Sequence, residues 1–142
     1  MGIPVLPIYD ITNLIPQKSP FEMVDTLLEF SKTSVTSSFS IPKENLFVVN
    51  GKFTESGLVE NMAQTVALHT GFSYFVEGKP APTGYIGSIK SIEIFKLPYA
   101  GEILITTATI LHELMGVTMV EVVVRLDDVE IAKGEMKTVI AQ

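Results

Sequence analysis

Glu60 and Gln64 stand four residues apart inside the stretch 57–76. On a helix that spacing puts them one turn apart on the same face. An amide there can orient a carboxylate, or can simply be a buried amide with its hydrogen bonds satisfied. Glu60 has a plain reading as a first-turn carboxylate favoured by the helix dipole. It has a sharper one as a general acid or base. Neither of the two histidines supplies a local partner. His69 is nine residues beyond Glu60, half a rotation away, and is expected to face solvent or a sheet. His112 falls near the end of a predicted strand and reads as exposed. No serine and histidine are arranged as a triad, and no His/Asp/Glu group has metal-ligand spacing. The absence of cysteine excludes a thiol nucleophile and a disulfide framework, and fits a reducing compartment.

The element that must position Glu60 is the stretch 57–76 itself. It is long, free of proline, and carries Leu58, Met62, Val66 and Phe72, with Val59, Ala63 and Ala67, at helical spacings. Thr54, Ser56 or Gly57 can cap it, and the segment 78–82, with Gly78, Pro80 and Pro82, closes it. Its polar residues argue against a membrane span, so it reads as a helix buried in protein. Strands are predicted over 21–30 and 34–41 before it, and over 85–97, 102–114, 117–126 and 130–140 after it. Residues 1–9 read as an extended arm and 10–15 as a short helix capped by Asp10. Asn50-Gly51 and Asp127-Asp128 read as turns. The run 120–124 is near-continuously apolar, as in a strand covered on both faces. Gly84 and Gly87 suggest close approach of a ligand or of the helix to the first strand after it, or a plain bend of the sheet. The order gives an α+β fold, one long helix wrapped by a twisted antiparallel sheet.

A length of 142 residues points to a single domain, 1–142. The net charge of −6, with no basic stripe, argues against nucleic acid or anionic lipid as partner. The N-terminus lacks an export-type run, so a cytoplasmic location is expected. Hydrophobic residues make up 46% of the chain, high for a lone domain of this size. Part of that surface is expected to pack against another subunit.

Three segments resemble the (3R)-hydroxyacyl-acyl-carrier-protein dehydratases, which have the hot-dog fold. Ile15-Pro16-Gln17-Lys18-Ser19-Pro20-Phe21-Glu22-Met23-Val24-Asp25 is similar to the family's N-terminal Leu-Pro-His-Arg-x-Pro-Phe-x-x-Val-Asp motif. Leu58-Val59-Glu60-Asn61-Met62-Ala63-Gln64 resembles the start of its central helix. Phe95-Lys96-Leu97-Pro98-Tyr99-Ala100-Gly101-Glu102 is similar to its Phe-Lys-x-Pro strand and turn. The short loop leading into Gly57-Leu58 resembles the branch of aryl-polyene and related pigment pathways more closely.

The resemblance implies elimination of water from a 3-hydroxyacyl thioester carried on the phosphopantetheine of an acyl carrier protein, with no cofactor of the enzyme's own and no metal. That chemistry needs a base for the C2 proton, an acid for the departing hydroxyl, and donors aimed at the thioester oxygen. Glu60 is implied as the catalytic residue. Gly57 (through helix N-terminal amides), Gln64, Gln17, Lys52 and Gly87 are implied at the substrate. The chain departs from the family where it matters most. The family's catalytic histidine maps onto Lys52 in Gly51-Lys52-Phe53-Thr54, and the histidine of the N-terminal motif is Gln17. Three functions therefore stand side by side: a dehydratase relying on Glu60, a non-catalytic acyl-binding subunit paired with an active relative, and a thioesterase in which one carboxylate activates water. A homodimer, or a heterodimer with a related dehydratase, is expected.

Overall fold

Backbone geometry changes abruptly at Thr54, from extended (φ −79°, ψ 171°) to the long helix α1, Glu55–Val76. The computed structural model describes residues 4–140, except the side chain of Tyr85. The first three residues of the predicted arm, and the end of the predicted 1–142 domain, lie outside the described residues. Before α1 come β1 (Thr26–Phe30), β2 (Ser34–Ser40), β3 (Val48–Val49) and β4 (Lys52–Phe53). After it come β5 (Gly84–Ile94), β6 (Ile103–Leu114), β7 (Val117–Leu126) and β8 (Val129–Ile140). Six strands form one antiparallel sheet in the order β1-β2-β6-β7-β8-β5, and β3 and β4 form a small ribbon. One helix against one antiparallel sheet is the α+β, hot-dog arrangement.

Tight turns set the register of the long strands. Met115-Gly116 and Asp127-Asp128 have positive φ at both central residues, as does Asn50-Gly51 in the small ribbon. This is the type I′ geometry that matches strand twist. Asp127-Asp128 is thus the predicted two-residue hairpin, formed without glycine. Helix α1 ends in a Schellman pattern: Lys79 N–H bonds to Tyr74 O at 3.0 Å and Gly78 N–H to Phe75 O at 3.0 Å. Gly78 supplies the left-handed φ of 69° that this ending requires.

The core lies between α1 and the sheet. Leu58, Met62, Leu68 and Phe72 meet Val35, Phe39, Leu104, Val120, Val122 and Met136 there. Segment 11–24 covers α1 on its other side with Ile11, Leu14, Ile15, Met23 and Val24, all buried. Gly71 is where that crossing is tightest: a Cβ there would overlap the carbonyl oxygen of Leu14.

Several boundaries differ from expectation for identifiable reasons. Segment 10–15 is a single turn, not a short helix. Asp10 Oδ1 accepts from Thr12 N–H at 3.0 Å, and Leu14 N–H bonds to Ile11 O at 2.9 Å. The Lys18 ammonium then takes the carbonyls of Thr12 and Ile15. The first strand starts at Thr26, not at residue 21, because the Met23 backbone is bonded by helix side chains in place of a neighbouring strand. Strand β7 is covered on one face, not two: Val120, Val122 and Val124 are buried while Glu121 is exposed and Val123 half-buried.

The two edges of the sheet are unlike. On β1, Ile8 bridges to Leu27. Strand β5 is the other edge, paired through β8 alone. The register with β8 puts Ile86 and Ile89 on the side facing α1, opposite Thr138 and Met136. Yet α1 leaves them 38% and 46% exposed.

Candidate functional site

The helix starts at Glu55 behind Thr54, the earliest of the three expected caps, and this changes the meaning of Glu60. With Thr54 as N-cap, Glu55 is the acidic residue of the first turn. Glu60 lies in the second turn, so the helix dipole explains Glu55 and not Glu60. Thr54 makes no side-chain cap. Its hydroxyl donates to Phe47 O at 2.8 Å.

Gln64 is fully buried and all its amide groups are engaged. Oε1 accepts from Met23 N–H at 2.6 Å. Nε2 donates to Phe21 O at 3.0 Å and to Glu60 Oε2 at 2.8 Å. A backbone N–H can only donate and a carbonyl can only accept, so these two contacts fix which end of the amide is which. The group turned to Glu60 is therefore an N–H, and the half-buried Glu60 is held as its acceptor. Both readings of Gln64 given by its spacing hold together, since it is a satisfied buried amide and it orients the carboxylate.

Asn61 completes the same clamp and was not singled out by sequence. Its Nδ2 donates to Met23 O at 2.7 Å, and its Oδ1 accepts from Thr106 Oγ1 at 2.6 Å. Both backbone groups of Met23 are thus taken by side chains of α1. The available signal was an asparagine among apolar neighbours on a helix predicted to be buried, where a polar side chain needs partners.

Glu60 faces a cavity of about 540 Å³ bounded by segment 13–17, α1, loop 81–84 and the ends of β5, β7 and β8. Along α1 its wall is Glu60, Ala63, Val66, Ala67, Thr70 and Gly71. Gln17 lines it too, and its Oε1 is buried without a hydrogen-bond partner. The cavity therefore brings the carboxylate and Gln17 to one wall, set among mostly apolar side chains.

The other expected substrate residues lie elsewhere. Gly57 is buried under aromatic rings: a Cβ there would overlap the Phe53 ring and come within 2.9 Å of Phe47 Cβ. Its lack of a side chain is accounted for by packing of the helix start. Lys52 is exposed in the ribbon, with its ammonium 5.4 Å from the centre of the Tyr99 ring. Gly87 sits at a bulge in β5, where a Cβ would come within 2.8 Å of Val139 Cγ2. Its close neighbour is the adjacent strand, neither a ligand nor the helix. None of the three lines the cavity of Glu60. His69 stacks on Phe30 at 4.8 Å between ring centres, with Nε2 2.9 Å from Ser31 O, so it secures the β1–β2 turn. His112 is exposed on β6 at a bulge.

Comparison with known proteins places this geometry. No curated protein matches the chain by sequence. One chain of the dehydratase heterocomplex ApeI:P from Xenorhabdus doucetiae superposes with a TM-score of 0.88 at 14% identity, covering 98% of this chain and 93% of that one. Uncharacterized protein PH1136 from Pyrococcus horikoshii gives 0.71 at 14% identity, covering 97% and 96%. A hypothetical thioesterase protein solved with coenzyme A from Streptococcus pneumoniae TIGR4 gives 0.63 at 12% identity, covering 81% and 84%. At these identities the likeness establishes the fold. The sequence profile of the ApeP-like family, described as ApeP dehydratase, matches residues 9–142. With a clamped carboxylate on a largely apolar cavity and a family match over nearly its whole length, the chain belongs to the ApeP-like dehydratase family.

Proposed function

We propose that this chain is one subunit of a dehydratase that removes water from a 3-hydroxyacyl group held as a thioester on an acyl carrier protein. The observation that carries the reading is Glu60, oriented by Gln64 on the wall of a 540 Å³ cavity that Gln17 also lines. In the reaction the C2 proton goes to a base, the C3 hydroxyl takes a proton and leaves as water, and a C2–C3 double bond forms. Glu60 serves as one of the two proton-transfer groups. Gln17, on the wall of the same cavity, bonds the substrate's carbonyl. The acyl group arrives on a phosphopantetheine arm, with Lys52 contacting the carrier. Proton transfer alone drives the elimination, so no cofactor is consumed.

The second proton-transfer group comes from a partner subunit. Both histidines of this chain are engaged or placed away from the cavity, and Lys52 is exposed. The open edge β5, with Ile86 and Ile89 uncovered beside it, supports a partner that extends the sheet. A heterodimer with a related dehydratase follows the example of the ApeI:P heterocomplex. Among the described residues no helix is long and apolar enough to cross a membrane. A cytoplasmic site of action is part of this proposal.

The test is mass spectrometry of 3-hydroxyacyl carrier protein incubated with the chain alone and with a related dehydratase. Loss of water supports the reading, most strongly if it needs both chains. Loss of the whole acyl group would establish the rival reading, a thioesterase, which a lone carboxylate activating water also supports. Water loss by the partner that is unaffected by Glu60→Gln in this chain would make it a non-catalytic subunit.

A further inference from the structure

Two cavities lie against α1 and meet at a thin partition. The larger carries Glu60. The second, of about 320 Å³, has Lys32, His69, Glu77 and Glu113 among its lining residues. Val66, Thr70, Thr118, Thr138 and Ile140 line both cavities, so the wall between them is one side chain thick. Thr118 and Thr138 are cross-strand partners in β7 and β8, and Val66 and Thr70 come from α1.

We infer that this partition is the stop that sets how long an acyl chain the cavity accepts, and that Thr70 is the specificity-determining residue within it. The inference rests on the acyl-thioester reading above. Ten residues of helix separate Glu60 from Thr70, about 15 Å of axis. A chain anchored by its thioester at Glu60 runs past Ala63 and Ala67, whose small side chains leave room, and ends at the partition.

The partition stops it in two ways. Val66 and Ile140 obstruct by bulk. The hydroxyls of Thr70, Thr118 and Thr138 have no protein hydrogen-bond partner among the described residues and are not sealed from solvent. An apolar chain end pressed against them would strip their water and give nothing back. Beyond them the second cavity mixes Lys32, Glu77 and Glu113 with Val35, Ala108, Ile110 and Val120, so the stop is the partition itself. Thr70 borders both spaces and is only half-buried, so shortening it opens the partition without emptying the core.

The experiment measures binding of non-hydrolysable 3-hydroxyacyl pantetheine analogues in a graded series of chain lengths, by native mass spectrometry and calorimetry. For the wild type, affinity should rise by roughly fourfold per added methylene while burial continues, then stop at a break length. Thr70→Ala should move the break to longer chains, and Thr70→Leu to shorter ones. Ile140→Ala tests the opposite side of the partition and should lengthen the accepted chain in the same sense. Melting curves establish that each variant is folded. A break that stays put in the folded variants overturns the inference and leaves the acyl-thioester reading standing. Failure of the wild type to bind any member of the series overturns both.

Discussion

The side-chain nitrogen of Gln64 lies 2.8 Å from Glu60 Oε2, and its orientation is dictated from Met23, 41 positions earlier in the chain. The carboxylate is therefore aimed by a backbone segment that it does not touch. A glutamate held by one donor on the wall of a cavity keeps lone pairs for a reacting group.

Replacing Glu60 by Gln keeps size and hydrogen bonding but removes most of the basicity. Turnover in the active complex should fall on the order of 100-fold or more, the usual contribution of a general acid or base. The melting temperature should hardly move, because Glu60 is only half-buried. Steady-state rates beside a thermal melt check both, and unchanged turnover would remove Glu60 from the reaction.

Gln64→Leu should behave in the opposite way. It strands the buried N–H of Met23 and removes the donor to the part-buried carbonyl of Phe21. Leaving the buried Met23 N–H without a partner costs about 1–3 kcal/mol. Chemical denaturation should show a large loss of stability together with reduced activity, and a stable variant would contradict the clamp described above.

Gly71→Ala tests the crossing of segment 11–17 over α1. The added methyl would overlap the Leu14 carbonyl, a backbone atom that can yield only by moving the segment. Overpacking of this kind costs about 1–3 kcal/mol or more. Amide exchange should quicken across residues 11–17, and binding in the cavity should weaken because that segment is one of its walls. Normal exchange there would show that the chain accommodates the methyl elsewhere.

Ile89→Lys places a charge beside the open edge of β5. Charged residues at sheet edges disfavour pairing with another chain. Sedimentation should show dissociation at micromolar concentration where the wild type stays associated. If the wild type itself sediments as a stable folded monomer, and gains no partner from a related dehydratase, the edge is not an interface.

Lys52→Ala should change dehydration turnover by less than about threefold, since an exposed charge contact is worth ~0–1 kcal/mol. A loss on the scale expected for Glu60→Gln would mean that the ribbon folds over the cavity in the working complex.

The elements were legible where periodicity or turn chemistry is local. The long helix, the four strands after it and the Asp127-Asp128 turn follow from patterns that neighbouring residues settle among themselves. The site was legible at Glu60 and Gln64 because they share a helix face. What sequence missed depends on contacts between distant segments. The strand predicted from residue 21 fails because Asn61 and Gln64 take the Met23 backbone. Gly57 and Gly87 carry no sign of whether a ligand, a ring or a strand lies above them; here Phe53 and Val139 do. Glu60 looked like a first-turn residue because its apolar period begins at Leu58, whereas the cap at Thr54 places the first turn earlier.

The clamp on Met23 bears on how related chains can be sorted into working and silent ones. Gln64 answers to two demands, holding the Met23 and Phe21 backbone and aiming Glu60, and only the second concerns chemistry. A descendant that had lost its reaction would still need the amide to keep its shape. Glu60 is under no such double obligation, because Gln64 is its one hydrogen-bond partner among the described residues. In a survey of such sequences, retention of the glutamine would say only that the protein folds. The residue at the glutamate position would separate the chains that still react from those that have become scaffolds.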